Sequence, residues 1–130
     1  MRPRYRMARF AISPRILTIL CRVEFGEGLE LQFLYVLHLV PRLHAPTAWT
    51  DADNQAVADH FQRLKTAAEK GIVILAGRTA EPLDQTFGIV IFEAPDEPAA
   101  REFMESDPTV ALGVMTATLH PYSLALLRKT

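Results

Sequence analysis

From Phe33 to Val40 the chain reads Phe-Leu-Tyr-Val-Leu-His-Leu-Val, with one strongly polar side chain in eight. A run this short, rich in β-formers and closed by Pro41, predicts a strand rather than a buried helix. Apolar residues fall on both of its faces, Phe33, Tyr35, Leu37 and Leu39 on one and Leu34, Val36 and Val40 on the other. Both faces therefore need cover, and something besides the domain's own helices is expected on one of them. After a polar stretch holding Pro41 and Pro46, the spacing changes to that of a helix. Thr50 or Asp51 offers a side-chain oxygen as the cap, and Asp51 and Asp53 suit the positive end of the helix. At about 100° per residue, Val57, Phe61, Leu64 and Ala68 make one core stripe, and Gly71 ends the helix in a left-handed cap.

Ile72 to Ala76 and Phe87 to Phe92 are two further β-branched apolar runs, joined by a polar Pro- and Asp-containing connection, and are expected to pair as a hairpin. Asp96 caps a second helix running to about Glu105, with Ala99, Phe103 and either Ala100 or Met104 toward the sheet. Asp107-Pro108 stops it, because a residue before proline is pushed out of the helical region. The last strand is read over about Met115 to Leu127. Its Pro121 has no N–H for a ladder hydrogen bond, which confines it to a sheet edge or a break. The order strand, helix, strand, strand, helix, strand fits an α+β domain over residues 31–130, an antiparallel sheet with spatial order 4-1-3-2 and the last strand at an edge.

Composition changes this picture little. The chain has 130 residues, 49% of them hydrophobic and 22% charged, which fits one core and neither a disordered nor a membrane protein. The net charge of −1 conceals an asymmetry: residues 1–30 hold six arginines against three glutamates. The remainder is thus acidic, and nucleic acid is not expected as a partner. The basic start is read as a disordered tail or a mis-assigned upstream stretch, since it is too poor in serine for a transit peptide and too short in its apolar run for a secretory signal. No run of roughly 20 apolar residues crosses a membrane. The single Cys21 excludes an internal disulfide, and a reducing, cytoplasmic location is the expectation.

Candidate chemistry is sparse. His60 falls about 60° from the centre of the helical stripe, at the border of core and solvent, where an imidazole can exchange protons. A carboxylate nearby would fix its tautomer. Asp107, followed by Pro108, Thr109 and Val110, has the pattern of an N-cap with proline in the first helical position, a role that keeps it ionised. An ionised aspartate is also what a catalytic histidine takes as its orienting partner. His38 and His120 lie on the first and last strands and would line a pocket if those strands are neighbours, although structural packing is the simpler account of both. Arg42 and His44 are placed to bind an anionic substrate or to decorate a loop. There is no His-Glu-x-x-His or Cys-x-x-Cys spacing, no phosphate loop, no dinucleotide fingerprint and no nucleophilic serine elbow, so neither metal nor cofactor is expected.

Four segments taken in order carry a family resemblance: Asp59-His60-Phe61-Gln62-Arg63-Leu64, Gly71 to Gly77, Phe87 to Glu93, and Ser106 to Gly113 with its Asp-Pro-x-Val-x-x-Gly pattern. Together they resemble the YciI-like, or YCII-related, family over about Leu34 to Arg128. The resemblance implies a ferredoxin-like fold that pairs with a second copy into a dimeric α+β barrel, which would cover the doubly apolar first strand. It also implies a histidine and aspartate pair beside a cleft, at the positions of His60 and Asp107. The long segment before Leu31 departs from short members of the family.

Two functions are compatible with these features. In the first, a small-molecule lyase or isomerase uses His60 as general base or acid, oriented by Asp107, for elimination or isomerisation. In the second, a non-catalytic homodimeric module binds a small ligand or a partner protein. A short contact between His60 and Asp107 at the wall of a pocket separates the two.

Overall fold

The computed structural model describes residues 30–129, and the expectation for the segment before them lies outside the described residues. Strand β1 (Leu31–Leu39) leads through two short 3₁₀ turns, Pro41–His44 and Pro46–Ala48, into helix α1 (Asp51–Glu69). Then come β2 (Val73–Arg78), β3 (Phe87–Ala94), α2 (Glu97–Glu105), the single turn α3 (Pro108–Ala111) and β4 (Met115–Tyr122). The sheet is antiparallel with order β2-β3-β1-β4, as the 4-1-3-2 expectation requires. Pro121 sits opposite Phe33 on edge strand β4, where its missing donor costs one ladder bond at most. That strand ends at Tyr122, well short of the expected Leu127. Beyond it, Gln32 accepts the Leu124 N–H through its side chain instead of a ladder partner.

The local signals behave as their chemistry dictates. Thr50 and Asp53 form a reciprocal capping box at the start of α1, and Asp96 caps α2 by accepting the Ala99 N–H. Gly71 takes φ +82° at the end of α1, and the Ile72 N–H reaches back to the Ala67 carbonyl at 2.9 Å, closing the helix.

The described helices α1, α2 and α3 pack against one face of the sheet. Phe33, Tyr35 and Leu37 of β1 and Val90 and Phe92 of β3 are buried there with Leu64, Ala67, Ala100 and Met104 of the helices. Phe92 and Phe103 stack with ring centroids 4.7 Å apart, and Tyr35 meets Phe92 edge-on at 5.6 Å. On the opposite face Leu34 and Val36 are half-buried, with Leu75 and Phe87 exposed beside them. Among the described residues, the helices thus cover only one of the two apolar faces of β1.

One expectation about α1 is corrected. Its buried residues are Asp53, Ala56, Leu64 and Ala67, whereas Phe61 is 61% exposed and Ala68 is exposed. The inward face is rotated from the predicted stripe by about 70° at 100° per residue, which brings His60 from the border to the middle of the buried face. Hydrophobicity alone misplaced it because the helix turns inward polar side chains, among them His60 and Arg63, whose partners lie elsewhere in the chain.

Candidate functional site

Asp107 is fully buried and caps α3 in an extended conformation, with Pro108 in the first helical position. The cap aims its carboxylate back under α1. Its Oδ1 accepts from the Thr109 N–H at 3.1 Å and the Thr109 hydroxyl at 2.8 Å, and its Oδ2 accepts from the Tyr35 hydroxyl at 2.8 Å. His60 Nδ1 lies 2.8 Å from both oxygens. Four donor groups therefore converge on one carboxylate from three parts of the chain, filling the roughly four lone-pair sites it offers. Burial by itself pushes the Asp107 carboxyl up. The hydrogen bond and charge of His60, with the Tyr35 and Thr109 hydrogen bonds, outweigh it and hold the carboxyl below its ordinary value. Tyr35 moves the other way: burial, then the negative charge of Asp107 and the hydrogen bond to it, raise the phenol far above its usual range. It stays a neutral donor at any physiological pH.

With Nδ1 against the carboxylate, the proton on that nitrogen is fixed and Nε2 is the nitrogen left for other work. Among the described residues no hydrogen bond reaches Nε2, and the His60 side chain keeps 16% of its surface exposed. The helix that carries it is anchored at its start. Arg42 forks onto Asp53 with two contacts of 2.9 Å, and Asp53 in turn holds the Thr50 backbone N–H at 2.9 Å. The Arg42 hydrogen bond, followed by that of the Thr50 backbone, pulls the Asp53 carboxyl well below the usual carboxylate range, and the hydrogen bond to Asp53 raises Arg42.

The remaining candidates lie apart from this pair. Arg42 is engaged with Asp53, and His44 Nε2 lies 3.3 Å from the Leu39 carbonyl. His38 and His120 are both exposed on the helix-free face, His38 beside Phe87 and opposite Thr116, and His120 opposite Leu34. Leu34 and His38 are four positions apart on β1, so the two imidazoles sit roughly 13 Å from each other along the strand. Among the clefts lined by described residues are two of about 400 and 350 Å³, and neither of these includes His60, Asp107, His38 or His120. Among the described residues no group of three or more His, Cys, Asp or Glu side chains is placed to hold a metal ion, and no helix is long and apolar enough to cross a membrane.

Two polar members of the site escaped the sequence reading. The apolar pattern makes Tyr35 a core position, although a buried tyrosine brings a hydroxyl that must find a partner. Arg63 lies three residues after His60 and so on the same helical face, a spacing that could have marked it. Its guanidinium stacks over the Phe103 ring with the central carbon 4.4 Å from the centroid.

The fold and the buried His60–Asp107 contact define a ferredoxin-like α+β domain with one tightly held histidine–aspartate pair. Residues 34–119 match the YCII-related domain, and the chain belongs to that family. No curated protein matches. Among solved structures, the chain is similar to the 5-chloro-2-hydroxyhydroquinone dehydrochlorinase of Burkholderia phenoliruptrix AC1100, in complex with 2,5-dihydroxybenzoquinone. The identity is 16%, with 73% of this chain and 96% of the dehydrochlorinase covered at a TM-score of 0.50, a likeness of fold.

Proposed function

We propose that the protein is a small-molecule enzyme in which His60 Nε2 exchanges a proton with a bound organic substrate while Asp107 holds the imidazole from behind. The observation that carries this reading is the 2.8 Å contact of Nδ1 with a fully buried, ionised carboxylate. An orienting anion of this kind fixes the tautomer, leaves Nε2 as the acceptor, and favours the imidazolium once the proton has been taken. In an elimination, Nε2 would remove a proton from the carbon next to the one bearing the leaving group. The C–H electrons become the new π bond, and the leaving group departs with its own electron pair. In an isomerisation the same nitrogen would return the proton to a different carbon. The dehydrochlorinase likeness makes elimination the first reaction to test, with its substrate left open.

The half of β1 that the helices leave uncovered supports pairing with a second copy through the open face of the sheet, bringing His38 and His120 into the interface. Binding without catalysis remains the second reading, favoured by one observation: the described clefts are lined by other residues than His60. Screening the purified protein for proton release against small aromatic acids, lactones and chlorinated phenols decides between them. A general base contributes about 10²- to 10⁴-fold, so His60→Ala is expected to lower turnover by at least the smaller factor. Full turnover in a folded His60→Ala protein would refute the acid–base role.

A further inference from the structure

The larger cleft runs along the second half of α1 beside Phe103 of α2, with a volume of about 400 Å³, within the range of small-molecule sites. Ala67, Ile72 and Phe103 give it an apolar floor, and Arg63, Thr66 and Lys70 stand around it. Among the described residues no carboxylate lines it. Neither Arg63 nor Lys70 forms an ion pair among the described residues.

Arg63 is the unusual member. Its Nη2 donates to the Phe103 carbonyl at 2.9 Å, and its guanidinium carbon lies over the Phe103 ring, so the group is held in the wall of the cleft. Its Nη1 is buried and has no hydrogen-bond partner among the described residues. A cationic donor shut away from water without an acceptor is costly, and native proteins rarely leave one so. An anion held at the wall of the cleft would bring an acceptor to this guanidinium. The C-terminal turns of α1 present carbonyls rather than free N–H groups at this point, so the charge complement for an anion comes from side chains alone.

We propose that this cleft binds a small organic monoanion, a carboxylate carried on a flat apolar body, with Arg63 and Lys70 holding the charge and Ala67, Ile72 and Phe103 receiving the body. The apolar floor favours such a molecule over inorganic phosphate. The test of this cleft requires no chemistry at His60.

Backbone amide shifts of the full chain titrated with benzoate test it, with benzyl alcohol and inorganic phosphate as controls. Benzoate is expected to give saturable shifts centred on Arg63, Thr66, Ala67 and Phe103, with much smaller responses to either control. Arg63→Gln should weaken binding by about tenfold or more, the loss of a charge-assisted hydrogen bond. Lys70→Ala, at an exposed position, should weaken it by roughly two- to fivefold and carries the test if Arg63→Gln does not fold. The assignment is overturned by shifts that do not saturate or centre elsewhere, by an equal response to benzyl alcohol or phosphate, or by unchanged affinity in the variants that fold.

Discussion

Replacing Asp107 by Asn probes the centre of the site with little change of shape. The carboxylate accepts from His60 Nδ1, the Tyr35 hydroxyl, and the backbone and hydroxyl of Thr109. An asparagine with its oxygen in the Oδ1 position keeps the two Thr109 bonds and one contact with His60, and asparagine caps a helix as well as aspartate does. Its NH₂ then faces the Tyr35 hydroxyl, which can turn to accept. What is lost is the negative charge and one charged acceptor, and a hydrogen bond to a charged group contributes about 1.5–3 kcal/mol. Asp107→Ala removes every acceptor from a buried pair and should cost about 3–5 kcal/mol, a large part of the ~5–15 kcal/mol that holds a domain together. Urea unfolding at pH 7 is therefore expected to show Asp107→Asn less stable by about 2 kcal/mol, with a melting temperature lower by roughly 10 °C. The deficit also has a pH signature. Because folding lowers the Asp107 pKa, its contribution is fully present above the unfolded value of about 3.9 and is lost as pH falls through the still lower folded value. The gap between wild type and Asp107→Asn should accordingly narrow as the solution is acidified below pH ~4. A variant within about 0.5 kcal/mol of wild type at pH 7, or a deficit that persists undiminished at pH ~2, would show that the buried charge does not hold this site together.

Other expectations follow from the same geometry. Tyr35→Phe deletes one donor while Oδ2 keeps His60, so it should cost about 1–2 kcal/mol in urea unfolding, and no loss would mean the hydroxyl bond contributes nothing. The same variant should shift the His60 imidazole resonances, whereas a change at an unrelated core position would not. Sedimentation at micromolar concentration should show a dimer, and Val36→Asp, which puts a carboxylate on the open sheet face, should raise the dissociation constant by at least about 100-fold while the monomer stays folded. A wild-type protein that sediments as a monomer at that concentration removes the dimer from the proposal.

Much of the architecture was legible because it depends on local chemistry. Thr50, Asp96 and Asp107 are capping residues by type, Gly71 is a helix stop, and Pro121 cannot sit in a central strand, so the order of elements and the edge position of β4 follow from neighbours a few residues apart. His60 and Asp107 were also singled out, one by its place on a helix and the other as a cap, with the family resemblance joining them. The rotation of α1 was not legible. An apolar stripe of Val57, Phe61, Leu64 and Ala68 is the inward face if only hydrophobicity is counted, yet Phe61 faces solvent and His60 and Arg63 turn inward.

The chain itself thus determined which segments become strands and helices, where they stop, and that β1 is apolar on both faces. Only the tertiary structure decided that Tyr35, His60 and Thr109 would meet at one carboxylate. Tyr35 and Asp107 are 72 positions apart and His60 and Asp107 are 47 apart, and their meeting depends on strand order, helix rotation and the turn after α2 together. A burial pattern scores each polar side chain as a cost, and whether that cost is offset depends on a partner that local spacing cannot reveal.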